Sequence, residues 1–156
     1  MQITCGFSEE KSMVEFAARL ARVVRTPLVF GFRGELGVGK TTLIRAMLRA
    51  LQVQGLIKSP TFSLVETYSL PERSKKFHHF DLYRVTSPFE LDDMGFRYYF
   101  TSDALCCIEW PERALGYSLG IDVNFQLQFA GQGRLLHLSA PTLSGIDVLT
   151  TLNELP

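Results

Sequence analysis

The sequence has no apolar stretch long enough to cross a membrane, because no run approaches the roughly 18 uninterrupted apolar residues that a spanning helix needs. Its first residues, MQITCGFSEEKSM, contain neither a basic segment nor a long apolar segment, so they lack the pattern of a signal peptide. Both absences favour a cytoplasmic protein that makes no contact with a membrane.

Excess charge of one sign is also absent. Sixteen Lys and Arg side chains balance sixteen Asp and Glu side chains, which argues against a protein that holds nucleic acid by bulk electrostatic attraction. The three cysteines form no C-x-x-C pair and no His/Cys cluster with zinc spacing, so neither a disulfide framework nor a zinc site is expected. A chain of 156 residues with this composition predicts one domain, residues 1–156, in a reducing compartment.

The most informative feature that is present is a phosphate-binding loop. Residues 34–41 read GELGVGKT and match G-x-x-x-x-G-K-[ST] at every fixed position. In such a loop the backbone N–H groups turn toward an anion, the lysine reaches the β- and γ-phosphates, and the Ser/Thr hydroxyl ligates Mg²⁺. The predicted contacts to ATP and Mg²⁺ are therefore Glu35, Leu36, Gly37, Val38, Gly39, Lys40, Thr41 and Thr42.

The surrounding pattern alternates strands and helices. An apolar strand over 28–32 precedes the loop and a helix over 42–51 follows it, an order that directs a helix N-terminus at phosphate. Ser8 is expected to cap a first helix over 9–25, and Ser87 and Pro88 to start another. Further strands are predicted over 62–69, 77–83, 104–109, 121–129 and 135–138. The fold class is α/β, with a mixed, largely parallel sheet and an antiparallel hairpin at its C-terminal edge.

Two acids follow apolar strands, where P-loop proteins place groups that act on the nucleotide. Asp81 ends one strand and is the candidate second anchor for Mg²⁺, beside Thr41. Glu109 ends another strand and is the candidate to orient water or to contact the metal. Each acid also has an ordinary interpretation, Asp81 as a turn residue and Glu109 as the cap of a following helix. Thr61, in a Ser-Pro-Thr turn, is a weaker candidate for a switch segment.

Taken together, these motifs resemble the TsaE (YjeE) family of P-loop ATPases. Four stretches carry the resemblance, in the family's order and at similar spacing: GELGVGKTT at 34–42, SPTF at 59–62, HFDLYR at 79–84 and IEWPE at 108–112. The resemblance extends over roughly residues 8–140 and implies a compact, three-layer P-loop NTPase-like domain.

The resemblance also implies roles for individual residues. Lys40, Thr41 and Thr42 would bind phosphates and Mg²⁺, and Asp81 would hold the metal. Glu109 would be required for hydrolysis, with Lys40 assisting catalysis. Other contacts are implied for Thr61 in a switch-like segment, for Trp110 near the nucleotide and for Ser12 on the adenine side, where the family commonly has Thr.

Members of this family work in the synthesis of threonylcarbamoyladenosine in tRNA, together with TsaB and TsaD proteins. The resemblance implies that this chain does not transfer the threonylcarbamoyl group. Its ATP hydrolysis would reset a TsaB–TsaD-like complex between turnovers, and tRNA would be reached only through those partners. No arginine finger can be named, so hydrolysis by the isolated chain is expected to be slow and to be stimulated by the partners.

Two alternatives remain open on sequence alone. A small-molecule kinase would share the phosphate loop and Asp81, with the basic segment 73–76 as a lid, although no acceptor-binding motif is evident. A binding module would use ATP as a switch without significant turnover. Transfer of phosphate to an acceptor distinguishes the first alternative, and the effect of Glu109→Gln distinguishes the second.

Overall fold

The computed structural model describes residues 1–71 and 75–155. Its strands and α-helices, in chain order, are β1 (Gln2–Phe7), α1 (Glu10–Val23), β2 (Leu28–Arg33), α2 (Lys40–Ala50), β3 (Val65–Leu70), β4 (Lys75–Asp81), α3 (Pro88–Asp93), β5 (Ala104–Glu109), β6 (Val123–Ala130), β7 (Gly133–Ser139) and α4 (Leu143–Glu154). Two 3₁₀ turns, Phe96–Tyr99 and Pro111–Arg113, flank β5.

The strands form one mixed sheet in the order β1-β7-β6-β2-β5-β4-β3. The four central strands, β6, β2, β5 and β4, are parallel, while β7, β1 and β3 pair antiparallel with their neighbours. The α/β class, the mixed sheet and the C-terminal hairpin are thus confirmed, and parallel pairing is confined to the centre.

The sequence predicted the hairpin β6–β7 at the edge of the sheet. In the structure the hairpin lies one strand inside that edge. The edge strand is β1, which the sequence did not reveal and which pairs antiparallel with β7 from Gln2–Ser139 to Phe7–Arg134. Ile3, Cys5 and Phe7 alternate with the exposed Gln2, Thr4 and Gly6, but this pattern spans only six residues and most of β1 is exposed or half-buried. Pairing with β7, a contact between distant parts of the chain, creates the strand.

Helices cover both faces of the sheet. One face packs against α1, α2 and α4, around buried aromatic side chains that include Phe30, Phe32 and Phe125. The other face packs against α3 and the 3₁₀ turns, around Phe80 and Phe96. The three-layer arrangement matches the expected one. Because side chains alternate along a strand, odd-numbered residues of β4 and β5 face the layer that contains α2.

Several element boundaries differ from those predicted by a few residues, and two of these differences have a local cause. The N-cap of α1 is Glu9, not Ser8, because β1 runs to Phe7 and the chain needs two residues to turn before the helix begins. The strand predicted from residue 62 begins only at Val65, since the preceding residues form a turn in which Leu64 has φ 64° and its N–H donates to the Pro60 carbonyl.

The predicted start of α3 is confirmed. Ser87 caps the helix, Pro88 occupies its first turn, and Glu90 completes a capping box by accepting from the Ser87 backbone N–H. In the described part of the chain, no helix is both long and apolar enough to span a membrane.

Candidate nucleotide-binding site

The phosphate loop joins the carboxyl end of β2 to the N-terminus of α2, and glycines give it its shape. Gly34 has φ 136°, and a Cβ there would stand 2.4 Å from the Leu127 carbonyl oxygen of β6. Gly39 has φ 114° and is the N-cap of α2, which no side chain caps. The first turn of α2 therefore keeps backbone N–H groups available for an anion.

Lys40 lies folded over this loop. Its Nζ donates to the carbonyl oxygens of Gly34 at 2.7 Å and Glu35 at 2.9 Å, and it lies 4.2 Å from the ring centroid of Trp110. Burial lowers the pKa of Lys40 from its ordinary value, while the charge of Glu109 opposes that shift. The ammonium group is thus held by two uncharged backbone carbonyl oxygens, which a charged phosphate can replace.

Glu109 ends β5 and is almost fully buried, with 3% of its surface exposed. Its Oε1 atom lies 2.7 Å from the Thr41 hydroxyl, which donates to it, and 2.7 Å from Nε2 of His79. His79 lies on β4 on the same face of the sheet, paired in register with Cys107. The acid predicted from the IEWPE motif therefore faces the phosphate loop and is no helix cap exposed to solvent.

Asp81 ends β4 directly beside Glu109 in the parallel register. Its Oδ1 accepts a hydrogen bond from the Tyr83 backbone N–H at 3.0 Å. Burial, helped by the nearby Glu109 charge, raises the pKa of Asp81 above its ordinary value, while the Tyr83 N–H and the charge of Lys40 oppose the rise. In such surroundings a nearby cation would stabilise the ionised form of the Asp81 carboxyl group.

These groups face one cavity of about 330 Å³. Its described lining comprises Leu36, Gly37, Gly39, Lys40, Thr41, Thr42, Thr61, Asp81, Tyr83, Arg84, Glu109 and Trp110. Most residues that the sequence nominated are therefore brought together at the carboxyl ends of β4 and β5, where open α/β sheets bind their ligands.

The rim of this cavity is aromatic and polar. Trp110 has φ 58°, and its ring lies 5.0 Å from the ring of Tyr83. Thr61 brings the Ser-Pro-Thr segment to the cavity, which it lines. Its hydroxyl shares a 2.7 Å hydrogen bond with the Ser59 hydroxyl. The guanidinium of Arg84 stacks 4.6 Å from the ring centroid of Phe62, whose side chain is 84% exposed.

A second cavity, of about 310 Å³, adjoins the other side of the phosphate loop. Its described lining comprises Phe7, Ser8, Glu9, Glu10, Met13, Gly37, Val38, Gly39, Thr42, Gln132, Gly133 and Arg134. Ser12 is not among the described residues that line either cavity, and its hydroxyl donates to the Glu9 carbonyl at 2.8 Å.

Two further predicted contacts occupy the loop itself. Glu35 contributes its backbone carbonyl, which accepts from Lys40, while its side chain is exposed. Val38 is fully buried, and its carbonyl accepts from Nε of Arg134 at 2.8 Å. Arg134 therefore stabilises the phosphate loop through the Val38 carbonyl, a role that nothing in the sequence around it indicated.

The residues present suit a magnesium–nucleotide complex. A threonine hydroxyl and one or two carboxylates, with phosphate oxygens completing the shell, are the donors that Mg²⁺ takes in such sites. Thr41, Asp81 and Glu109 supply that set at the phosphate loop. Among the described residues there is no group of three or more His, Cys, Asp or Glu side chains able to hold a metal alone, so phosphate would be needed to complete the site.

Sequence reasoning missed two site residues besides Arg134. His79 was expected only to make some hydrogen bond, and its bond to Glu109 depends on a register between strands 30 residues apart. Tyr83, which packs against Trp110, was visible as part of the HFDLYR stretch but carried no chemical signal of its own.

Of the segment considered as a kinase lid, only Lys75 and Lys76 are described, and both lie far from Asp81. Arg73 and Ser74 lie outside the described residues. Lys75 and Lys76 begin β4, whereas Asp81 ends it, which separates them by about 20 Å at the usual rise of a strand. Lys76 donates instead to the Ser69 hydroxyl across the β3–β4 pair.

Comparison with known proteins identifies the family of the chain. The family model described as "Threonylcarbamoyl adenosine biosynthesis protein TsaE" matches residues 7–135. The Haemophilus influenzae protein named "tRNA threonylcarbamoyladenosine biosynthesis protein TsaE" is 36% identical, with 97% of this chain and 98% of that protein covered. The protein of that name from Borreliella burgdorferi is 32% identical, with 85% and 96% covered.

The fold likewise has a solved counterpart. The crystal structure of Bacillus subtilis YdiB superposes with a TM-score of 0.73 over 98% of this chain and 95% of that one, at 19% sequence identity. At that identity the likeness concerns the fold. The family model and the two relatives carry the assignment, and by them the chain belongs to the TsaE family.

Proposed function

We propose that this chain is the ATP-binding and ATP-hydrolysing component of a tRNA N6-threonylcarbamoyladenosine modification system, acting as a single Mg²⁺-dependent ATPase domain. Membership of the TsaE family supports the pathway. The observation that carries the chemistry is the convergence of Lys40, Thr41, Asp81 and Glu109 on one cavity at the phosphate loop.

The proposed division of labour follows from the contacts. Lys40 exchanges the carbonyls of Gly34 and Glu35 for phosphate oxygens, and Thr41 and Asp81 hold Mg²⁺. When bound, Mg²⁺ supplies charge neutralisation on the phosphate oxygens. Glu109 orients the attacking water and accepts its proton, a role that fits a carboxylate fixed by two donors with Oε2 left for water.

The nucleotide is proposed to extend around the loop. Its phosphates would lie against Gly37, Gly39 and Thr42, which line both cavities. The base and ribose would then enter the second cavity, beside the first turn of α1. The contact proposed for Ser12 would need its hydroxyl to leave the Glu9 carbonyl.

We further propose that partners control turnover. Arg84 is the arginine among the described residues that line the cavity of about 330 Å³. Its guanidinium is stacked on Phe62, so it is not placed to act as a transition-state cation. Such a cation is worth about 10³–10⁵ in rate. A TsaB–TsaD-like complex would supply or assemble it in the cytoplasm, use the hydrolysis to reset itself, and hold the tRNA. The threonylcarbamoyl transfer would belong to the partners.

The test is phosphate release from Mg²⁺-ATP by the chain alone and with a purified TsaB–TsaD pair. Slow release that rises strongly with the pair is expected. Glu109→Gln should lower the release strongly, to a small residual rate, while retaining ATP binding, and Lys40→Ala should weaken binding. Glu112→Gln is the matched control, because Glu112 is half-exposed and pairs with Arg33.

Three results would count against the proposal. Unchanged stimulated release in Glu109→Gln would remove the hydrolytic assignment. No stimulation at concentrations where the pair demonstrably binds would remove partner control. Phosphate transfer to a small-molecule acceptor in place of water would favour the kinase alternative.

A further inference from the structure

His79 is a buried, polar side chain that the proposed division of labour does not use. It lies on β4 with none of its surface exposed, between β3 and β5. Its Nε2 lies 2.7 Å from Oε1 of Glu109, and its Nδ1 has no hydrogen-bond partner among the described residues. Such an arrangement inside a sheet calls for a reason.

The contacts assign the hydrogen position on the ring. Ionised Glu109 only accepts hydrogen bonds, so Nε2 of His79 is the donor. Nδ1 then carries a lone pair, since a second N–H would be a buried donor without an acceptor. His79 is therefore the neutral Nε2–H tautomer, and its hydrogen bond to Glu109 is the polar contact that justifies its burial.

Two donors share one oxygen of Glu109, and they differ in what else they do. The Thr41 hydroxyl is the group that would ligate Mg²⁺ in a P-loop site, through an oxygen lone pair, so a bound metal would share control of its position with Glu109. His79 has no such competing ligand. Its ring is fixed on a central strand, and its Nε2 is directed at Oε1 of Glu109.

We propose that His79 is a positioning residue for hydrolysis: its Nε2–H anchors Oε1 of Glu109 and so keeps Oε2 aimed at the attacking water, independently of the position that a bound metal would give Thr41. The inference rests on the proposed ATPase function and adds a residue to it. It assigns His79 no proton transfer and no contact with the nucleotide.

The neighbouring histidine provides a matched control. His78 is also buried, but it faces the opposite layer, where Nδ1 shares a 2.9 Å hydrogen bond with the Thr67 hydroxyl. A structural cost of replacing a buried histidine on β4 should therefore appear in both positions. A loss that depends on anchoring Glu109 should appear only in His79 variants.

Three variants test the role: His79→Leu, which removes the donor, His79→Gln, whose amide N–H can replace Nε2–H, and His78→Gln. Single-turnover hydrolysis of Mg²⁺-ATP should fall about 10–100-fold in His79→Leu, as for other residues that orient a catalytic group. ATP affinity, read from Trp110 fluorescence, should not change. His79→Gln should recover most of the rate, and His78→Gln should match the unmodified chain.

The rate effect must also pass through Glu109. In a Glu109→Gln background, His79→Leu should cause no further loss of rate, because the group that it positions is gone. Equal rates in His79→Leu and the unmodified chain would overturn the proposal, as would a loss that His79→Gln fails to recover, or one explained entirely by weaker ATP binding.

A spectroscopic arm does not depend on turnover. The ¹⁵N–¹H spectrum of the imidazole rings should show His79 as the Nε2–H tautomer, with a proton shift that changes in Glu109→Gln and persists when Mg²⁺-ATP is added. Another tautomer, or loss of that proton with nucleotide, would refute the anchor. Absence of hydrolysis by the unmodified chain, with and without partners, would instead refute the proposed function, and the spectrum would still decide whether His79 anchors Glu109.

Discussion

The hydroxyl of Thr41, the first residue after the phosphate-loop lysine, donates a hydrogen bond to Oε1 of Glu109 at the end of β5, 2.7 Å away. Lys40 is occupied in a similar way, on the carbonyls of Gly34 and Glu35. The site thus satisfies its own polar groups, as buried groups must. In the proposed complex with ATP, Lys40 would exchange these internal hydrogen bonds for contacts with phosphate.

The first prediction concerns the metal dependence of binding. Thr41→Ala should weaken the affinity for Mg²⁺-ATP about 10–100-fold, because a metal ligand is lost, whereas Thr41→Ser should retain it. Calorimetric titration with Mg²⁺-ATP measures the difference. In EDTA, which removes the metal, all three proteins should bind ATP with the same weaker affinity. A difference that survives in EDTA would show that Thr41 contacts the phosphates without metal.

How much of this was readable from the sequence depends on how local the cause is. The phosphate loop, β5 over 104–109 and the helix start with Ser87 as N-cap are set by neighbouring residues, and the sequence predicted all three. The approach of Asp81 and Glu109 was also predictable, because parallel strands bring their carboxyl ends to one edge. Their assigned roles remain predictions.

What the sequence did not reveal depends on long-range contacts. β1 is a strand because β7 pairs with it. α4 contains glycine and several β-branched residues, which are weak helix formers. It is held instead by the Thr142 cap on the Gly145 N–H and by apolar packing of Val148, Leu149 and Leu152. The bond between His79 and Glu109 likewise needs the register of β4 against β5.

The second prediction separates two glycines of the phosphate loop. Gly34→Ala should lower the free energy of unfolding by about 2–4 kcal/mol, because its φ is 136° and its Cβ would meet the Leu127 carbonyl at 2.4 Å. Gly37→Ala should cost only about 1–2 kcal/mol, since its φ is 77° and nothing lies within 4 Å of the added Cβ. Urea unfolding measures both. Equal costs would mean that the Leu127 carbonyl of β6 moves aside to make room for the Cβ added at residue 34.

The third prediction uses Trp110, the only tryptophan in the chain. Lys40 lies 4.2 Å from its ring centroid, a cation–π contact that ends when Lys40 turns to the phosphates. Mg²⁺-ATP should therefore change the tryptophan emission. Lys40→Ala should shift the emission of the nucleotide-free protein toward the bound value. A spectrum that Lys40→Ala leaves unaltered would place Lys40 away from the ring in solution.

The fourth prediction sets stability against function at Asp81. Burial raises its pKa above the ordinary 3.8, so the folded chain binds the proton more tightly than the unfolded chain does. The stability that this proton confers is complete below pH 3.8 and is lost as the pH rises through the raised folded value. Asp81→Asn is neutral at every pH, so it should be more stable than the unmodified chain at pH 7, and the difference should shrink toward pH 4.

The same variant should bind Mg²⁺-ATP about 10–100-fold more weakly, because Asn is a poorer ligand for Mg²⁺ than a carboxylate. Thermal unfolding between pH 4 and pH 8, without nucleotide, measures the stability difference, and comparison with Asp93→Asn, an exposed acid on α3, removes effects common to any lost charge. Glu109 and Lys40 are the charged groups that act on Asp81, and neither is substituted in this comparison. Lower stability of Asp81→Asn at pH 7 would mean that the Asp81 carboxylate stabilises the fold through the Tyr83 N–H. Normal binding of Mg²⁺-ATP by this variant would mean that the carboxylate does not hold the metal.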